Sequence, residues 1–220
     1  MGRLVVVAGA CASGKSTLCG EIVRNRYQHV LGVDMSESLL FHAKQFRKKP
    51  VHEVCAGGET TPVLLHYDIS WLGSRGLENY AEDPSTGVMR LAGDVEIILV
   101  VPTQVRLVRQ LLESEAVAGN FPKSRHRFYH DRYQEPAWLS RLYGNWIQFC
   151  ASHVPRAQFL VYAERGTKCE LVRCGSSQAA LAAVQSIYRE DTAARPVLGN
   201  GVPAVVVAWL AQMAEALALV

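Results

Sequence analysis

Gly9-Ala10-Cys11-Ala12-Ser13-Gly14-Lys15-Ser16 is the stretch that decides the fold of this chain, because it fits the phosphate-loop pattern G-x-x-x-x-G-K-[ST] at every fixed position. A β-branched run at residues 4–7 precedes it and predicts a buried strand, and Leu18 and Ile22 follow it at helical spacing. This order allows backbone N–H groups at a helix N-terminus to surround phosphate oxygens. We therefore predict a phosphate-binding loop; the alternative is a glycine-rich turn that binds nothing.

The residue types within this loop predict how it would hold a nucleotide. Lys15 can reach the outer phosphates, and the hydroxyl of Ser16 can hold a magnesium ion. ATP and Mg²⁺ are the predicted cofactors. The predicted nucleotide-binding residues are Gly9, Ala10, Cys11, Ala12, Ser13, Gly14, Lys15, Ser16 and Thr17.

Beyond the loop, short apolar runs alternate with helical patterns. The further predicted strands are residues 30–34, 63–68, 95–101 and 159–163, and the further helices are residues 36–46, 105–118, 138–151 and 178–188. Five strands alternating with helices predict an α/β three-layer sandwich with a mostly parallel sheet. Ligands of such sheets bind beyond the carboxyl ends of the strands. The loop, Asp34 and Asp68 are therefore expected at one edge.

Composition is that of an ordinary soluble protein. The chain has 220 residues and a net charge of +3, so no nucleic-acid partner is expected. Its six cysteines include no C-x-x-C pair, which favours reduced thiols and a cytoplasmic location. The apolar run at residues 4–7 is too short for a secretion signal.

The C-terminal segment differs from the rest of the chain. Residues 202–220 are apolar apart from Gln212 and Glu215, and no basic residues flank them. We expect one domain over residues 1–192 and an apolar helical tail over residues 193–220. The tail is expected to pack on the domain or to join a homo-oligomer, and a membrane anchor is the less favoured alternative.

Three features carry a resemblance to a known family. They are residues 9–17, Asp34 after the predicted second strand, and residues 97–102 leading into the arginine-bearing helix at residues 105–111. With them the chain resembles small P-loop kinases, the group of nucleoside monophosphate kinases, shikimate and gluconate kinases, and polynucleotide-kinase-like phosphotransferases. The resemblance covers about residues 3–165 and is specific only at the loop. It implies a nucleotide-kinase-like fold and an enzyme that transfers the γ-phosphoryl group of Mg-ATP to a hydroxyl or phosphate of a small acceptor.

The resemblance also implies roles for two acids. Asp34 would bind the acceptor or take its hydroxyl proton, and a helix N-cap is the alternative. Asp68 is similar to an acid that holds magnesium, although His66 and Tyr67 interrupt its apolar run. A turn at the strand end and binding of the acceptor both remain open for Asp68.

A basic segment follows the predicted fourth strand and its helix. In the resembled kinases a mobile lid lies there, which implies a lid at about residues 119–136 with Arg125, Arg127 and Arg132 stabilising the transferred group. A solvated basic loop is an equal alternative. A metal site at His126 and His130 and a nucleic-acid surface are weaker ones.

Three other functions compete with the kinase interpretation. A sulfotransferase would share the sheet and the loop, but Lys15 followed by Ser16 and Thr17 favours a magnesium triphosphate. A GTPase switch is disfavoured, because the chain has no N-K-x-D motif and no glycine after Asp68 at the D-x-x-G position. A nucleotide-dependent interaction module without enzymatic activity remains open, and the apolar tail is its best support.

Overall fold

The computed structural model describes residues 2–47, 61–70, 78–81, 83–117, 129, 131–165 and 168–193. The strands are β1 Arg3–Gly9, β2 Leu39–His42, β3 Val63–Asp68, β4 Asp94–Val101, β5 Gln158–Arg165 and β6 Lys168–Arg173. The helices are α1 Lys15–Val23, α2 Gln28–Leu31, α3 Glu78–Ala81, α4 Pro84–Leu91, α5 Gln104–Val117, α6 Pro136–His153 and α7 Ser177–Ala193, and a 3₁₀ helix spans Ala43–Arg47. The chain is therefore an α/β protein, as predicted.

The strands form one sheet in the order β2-β3-β1-β4-β5-β6. The first five strands are parallel, and β6 is antiparallel to β5. At the carboxyl end of β1, Gly9 lies opposite Asp68 of β3 on one side and Val100 of β4 on the other. The glycine-rich loop therefore starts from the middle of the sheet.

Helices cover both faces of this sheet. Alternate residues of β1 lie on opposite faces of the sheet. Leu4 and Val6 belong to one buried cluster with residues of α4 to α7. Val5 and Val7 belong to another cluster with residues of α1 and α2. A strand buried on both faces has the continuous apolar sequence seen at residues 4–7. The arrangement is compatible with the predicted three layers.

The predicted second strand is wrong. Residues 28–31 form α2, which ends at Gly32 with a positive φ of 67°. The second strand is instead β2, within the segment predicted to be a helix at residues 36–46. A four-residue apolar run fits a strand or a helix equally well. Residues 39–42 form a strand because they pair with β3.

The sheet also has a sixth strand that was not predicted. The residues of β6 alternate between exposed and half-buried, and the strand closes a hairpin at the edge of the sheet. The apolar tail from residue 194 lies outside the described residues, and so do the helix and the oligomer contact predicted for it. Within the described residues, no helix combines the length and the apolar character needed to cross a membrane.

A buried ion-pair network stabilises the opposite, amino-terminal edge of the sheet. The Glu96 side chain on β4 is 1% exposed, and its carboxylate oxygens lie 2.7 Å from Arg3 and 2.5 Å from Arg173. The same arginines donate to backbone carbonyls of α2, those of Leu31 and Val30. This network joins α2 and β6 to the centre of the sheet.

Candidate phosphate-binding site

The loop between β1 and α1 has a backbone that requires glycine at two positions. A Cβ atom on Gly9 would lie 2.6 Å from Ser13 Oγ and 2.9 Å from the carbonyl oxygen of Val100. Gly14, which precedes the first residue of α1, has a φ of 91°, and Ala12 has a φ of 60°. The chain thus turns sharply over the end of its own strand and directs the N-terminus of α1 toward the loop interior.

Replacing Gly9 with alanine is expected to distort this loop, since the backbone oxygen of Val100 cannot move aside as a side chain could. The displacement should cost about 1–3 kcal/mol and weaken any anion bound by the loop. The matched control is Gly20→Ala in α1, where a Cβ atom would meet nothing within 4 Å. That change should raise the free energy of unfolding by about 0.5–1 kcal/mol through helix propensity. Urea denaturation of both variants measures the difference, and equal effects would contradict the assigned role of Gly9.

The interior of the loop holds groups suited to an anion. Lys15 is 4% exposed, and its Nζ donates to the carbonyl oxygen of Ala10 at 2.5 Å. Ser13 is 3% exposed, and its hydroxyl has no hydrogen-bond partner among the described residues. No side chain caps the first turn of α1, whose N–H groups have no acceptor within the helix. An anion placed here would meet several donors and one positive charge.

Three hydroxyl groups from remote parts of the chain hold the loop in place. The hydroxyl of Tyr143 accepts from Ala10 N at 3.1 Å, and that of Ser70 accepts from Cys11 N at 2.7 Å. The hydroxyl of Tyr133 donates to the carbonyl oxygen of Cys11 at 2.9 Å. These residues were not predicted, because the periodicity of a sequence does not indicate which distant group a buried hydroxyl contacts.

Asp68 lies beside the loop at the end of β3, as predicted. It is half-buried, and its Oδ1 accepts from Ser70 N at 3.0 Å. The turn at the strand end is therefore present. Its position beside the loop would also allow the carboxylate to serve an acceptor or a cation.

Two histidines line the same side of the loop. The sequence pattern predicted no role for His66, which only interrupts the apolar run before Asp68. His66 Nε2 lies 3.3 Å from Ser16 Oγ, and the ring of His42 packs against His66 with centroids 4.6 Å apart. Burial, together with the charge of Lys15, lowers the pKa of His66 to about 4. The His66 imidazole is therefore neutral at physiological pH.

The expected position of Asp34 is wrong. Asp34 is exposed and accepts from Asn25, just after α1, at 2.6 Å and from Ser36 N at 2.8 Å. These bonds lower its pKa, and the bond from the Ser36 backbone contributes most. Because α1 runs away from the loop and β2 begins only at Leu39, Asp34 lies at the amino-terminal edge of the sheet. It closes a turn there, and no helix follows for it to cap.

The structure describes only part of the predicted lid. Arg125, Arg127 and both histidines of the alternative metal site lie outside the described residues. Arg132 is partly exposed and pairs with Glu135 at 3.5 Å. Tyr129 and Tyr133 are 3% and 0% exposed, so these two residues of the predicted mobile lid are packed in the core.

A cleft adjoins the loop on the side of β4, β5 and β6. It is partly open to solvent, and Thr17, Arg106, Tyr162 and Cys169 are among the residues that line it. Arg106 forms an ion pair with Glu164 and donates to Cys169 Sγ at 3.2 Å. Because the β5–β6 hairpin was not predicted, this wall of the cleft was missed.

Comparison with protein-family models finds no match to the chain, and comparison with curated proteins finds none either.

Proposed function

We propose that this chain is a P-loop phosphotransferase of the nucleotide-kinase type, which transfers the γ-phosphoryl group of Mg-ATP to a hydroxyl or phosphate of a small acceptor. The observation that carries the proposal is the loop at residues 9–17. Gly9 has no room for a Cβ atom, Gly14 has a positive φ, and Lys15 is buried against the loop backbone. A turn that bound nothing would have no need of a buried lysine two positions from Ser13, whose buried hydroxyl has no partner among the described residues.

The donors of the loop would bind the phosphates. N–H groups of the loop and of the first turn of α1 would face phosphate oxygens, and the helix dipole would favour their negative charge. In the structure Lys15 donates to Ala10. On binding it would exchange this bond for the outer phosphates, where charge develops as the phosphoryl group transfers.

The residues present fit a magnesium ion. The exposed hydroxyl of Ser16 and the carboxylate of Asp68 offer oxygen ligands, which Mg²⁺ prefers. In the described part of the chain, no three His, Cys, Asp or Glu side chains cluster closely enough to form a metal site by themselves. The ion would take its other ligands from phosphates and water, and it would neutralise charge on the phosphates.

The two sides of the loop suggest where nucleotide and acceptor would lie. The cleft beside α5 and the β5–β6 hairpin lies on one side, and Thr17 of α1 is part of its wall. It could hold the base and ribose. Asp68 lies on the other side because β3 and β4 flank β1 on opposite sides. We assign that side to the acceptor, with Asp68 binding it or accepting its proton.

A cytoplasmic location is part of the same proposal. The cysteines within the described residues, Cys11, Cys19, Cys150, Cys169 and Cys174, are all free thiols. Free thiols are usual in a reducing compartment.

Asp68→Asn is expected to lower turnover by at least about a hundredfold, the scale for loss of a catalytic carboxylate that handles a proton. The test is ADP or GDP release from ATP or GTP across a panel of sugars, nucleosides and nucleotides. Asp34→Asn is the matched control, because it makes the same chemical change at the opposite edge of the sheet, and it should leave turnover unchanged. Equal loss in both variants would contradict the assignment of Asp68. A wild-type chain that binds nucleotide but has no turnover would favour an interaction module.

A further inference from the structure

The contact between Ser16 and His66 joins the first turn of α1 to the neighbouring strand β3. Ser16 Oγ is exposed, whereas the ring of His66 is half-buried, and the two polar atoms lie 3.3 Å apart. The contact spans 50 positions in the sequence. The phosphate-loop pattern does not require a histidine next to Ser16, so this contact is a feature of this chain.

The chemistry of a hydroxyl group restricts what this contact can do. Ser16 has one proton and two lone pairs, and it can present both lone pairs to a cation only if its proton points elsewhere. Lys15, its neighbour in the loop, is a donor without acceptor capacity. His66 Nε2 lies within hydrogen-bonding distance, and a neutral imidazole has one nitrogen with a free lone pair. His66 can therefore accept a hydrogen bond from the hydroxyl group of Ser16.

The ring of His66 also packs against His42, a residue outside the contact with Ser16. His42 on β2 lies directly opposite His66 in the parallel register, and the two rings are tilted by 46°. His42 packs against the ring, and none of the contacts described joins it to Ser16. It therefore offers a control that removes the packing partner and keeps the hydrogen bond.

We propose that His66 is a positioning residue for the cation that accompanies the nucleotide. It accepts a hydrogen bond from the hydroxyl group of Ser16, and this bond turns the lone pairs of the Ser16 oxygen toward the phosphate side. The inference rests on the proposed function, since it assumes a nucleotide with its cation at the loop. His66 acts through Ser16 and does not itself bind the cation. Partners of this kind typically change metal affinity by about 10–100-fold.

The test measures Mn²⁺ binding to the full-length chain with a non-hydrolysable ATP analogue, by electron paramagnetic resonance. His66→Leu should weaken Mn²⁺ binding by at least about tenfold. His66→Gln, which keeps an acceptor oxygen, should restore most of the affinity. In the Ser16→Ala background His66→Leu should have no further effect, because the partner through which it acts is gone. His42→Leu should change the affinity much less than His66→Leu.

Three results would overturn the inference. One is an additive effect of the Ser16 and His66 substitutions. Another is full Mn²⁺ affinity in His66→Leu. The third is nitrogen-14 coupling to Mn²⁺ in the wild-type spin-echo spectrum, since this would make His66 a direct ligand. The coupling measurement needs only wild-type protein and so does not depend on how the variants fold. Failure of the wild-type chain to bind the analogue, with or without Mn²⁺, would instead overturn the proposed function.

Discussion

Lys15→Ala is expected to lower turnover by at least about a hundredfold, the scale for removing one preorganised donor from a reaction that develops negative charge. Lys15 carries the positive charge buried within the loop, at 4% exposure. Its hydrogen bond to Ala10 has a charged donor and contributes about 1.5–3 kcal/mol, less than the roughly 5–15 kcal/mol that stabilises a typical domain, so the variant should remain folded. The measurement is release of ADP or GDP with the acceptor that gives the highest wild-type rate.

The control for this experiment is Lys168→Ala. Lys168 is exposed at the start of β6, so its removal takes away the same charge without touching the loop. Its turnover should match that of the wild-type chain. Equal turnover in Lys15→Ala and the wild-type chain would contradict the kinase proposal, because no other lysine lies within residues 9–17.

Glu96→Ala is expected to have the largest effect on stability. The change would leave Arg3 and Arg173 without their shared carboxylate, and breaking a buried ion pair in this way costs about 3–5 kcal/mol. The side chains of Arg3 and Arg173 are 24% and 39% exposed, so water can partly solvate them. The lower end of that range, about 3 kcal/mol, is therefore expected in urea denaturation.

Asp94→Ala is the matched control for this prediction. Asp94 lies 3.3 Å from Arg3, but its side chain is 47% exposed, so its loss should cost less than about 1 kcal/mol. Both residues lie at the amino-terminal edge of the sheet, so neither change should alter nucleotide affinity. A smaller loss of stability in Glu96→Ala than in Asp94→Ala would show that the network does not stabilise the fold as described.

The elements next to the loop could be predicted because their signals are local and strong. The apolar run at residues 95–101 and the helical spacing of apolar residues at residues 105–118 agree with β4 and α5 within one residue at each end. The position of Asp68 beside the loop followed from parallel strands alone. These features depend on periodicity within a few residues of chain.

Other features depend on contacts between distant residues, and sequence patterns do not contain them. Asp34 does not lie where the pattern predicts, because residues 28–31 form a short helix that ends at Gly32 instead of the strand predicted at residues 30–34. The hydroxyls of Tyr133 and Tyr143 reach the loop from 122 and 133 positions away. The contact between Ser16 and His66 likewise forms only once β3 lies beside β1.

The central claim, that the loop at residues 9–17 binds a nucleoside triphosphate with magnesium, is tested most directly by isothermal titration calorimetry of the full-length chain. Mg-ATP and Mg-GTP would each be titrated into the wild-type protein, Gly9→Ala and Gly20→Ala. The proposal predicts saturable binding at one site for at least one of the two nucleotides. Binding should be preserved in Gly20→Ala and lost or strongly weakened in Gly9→Ala. No binding of either nucleotide by the wild-type chain, or equal binding by Gly9→Ala, would contradict it.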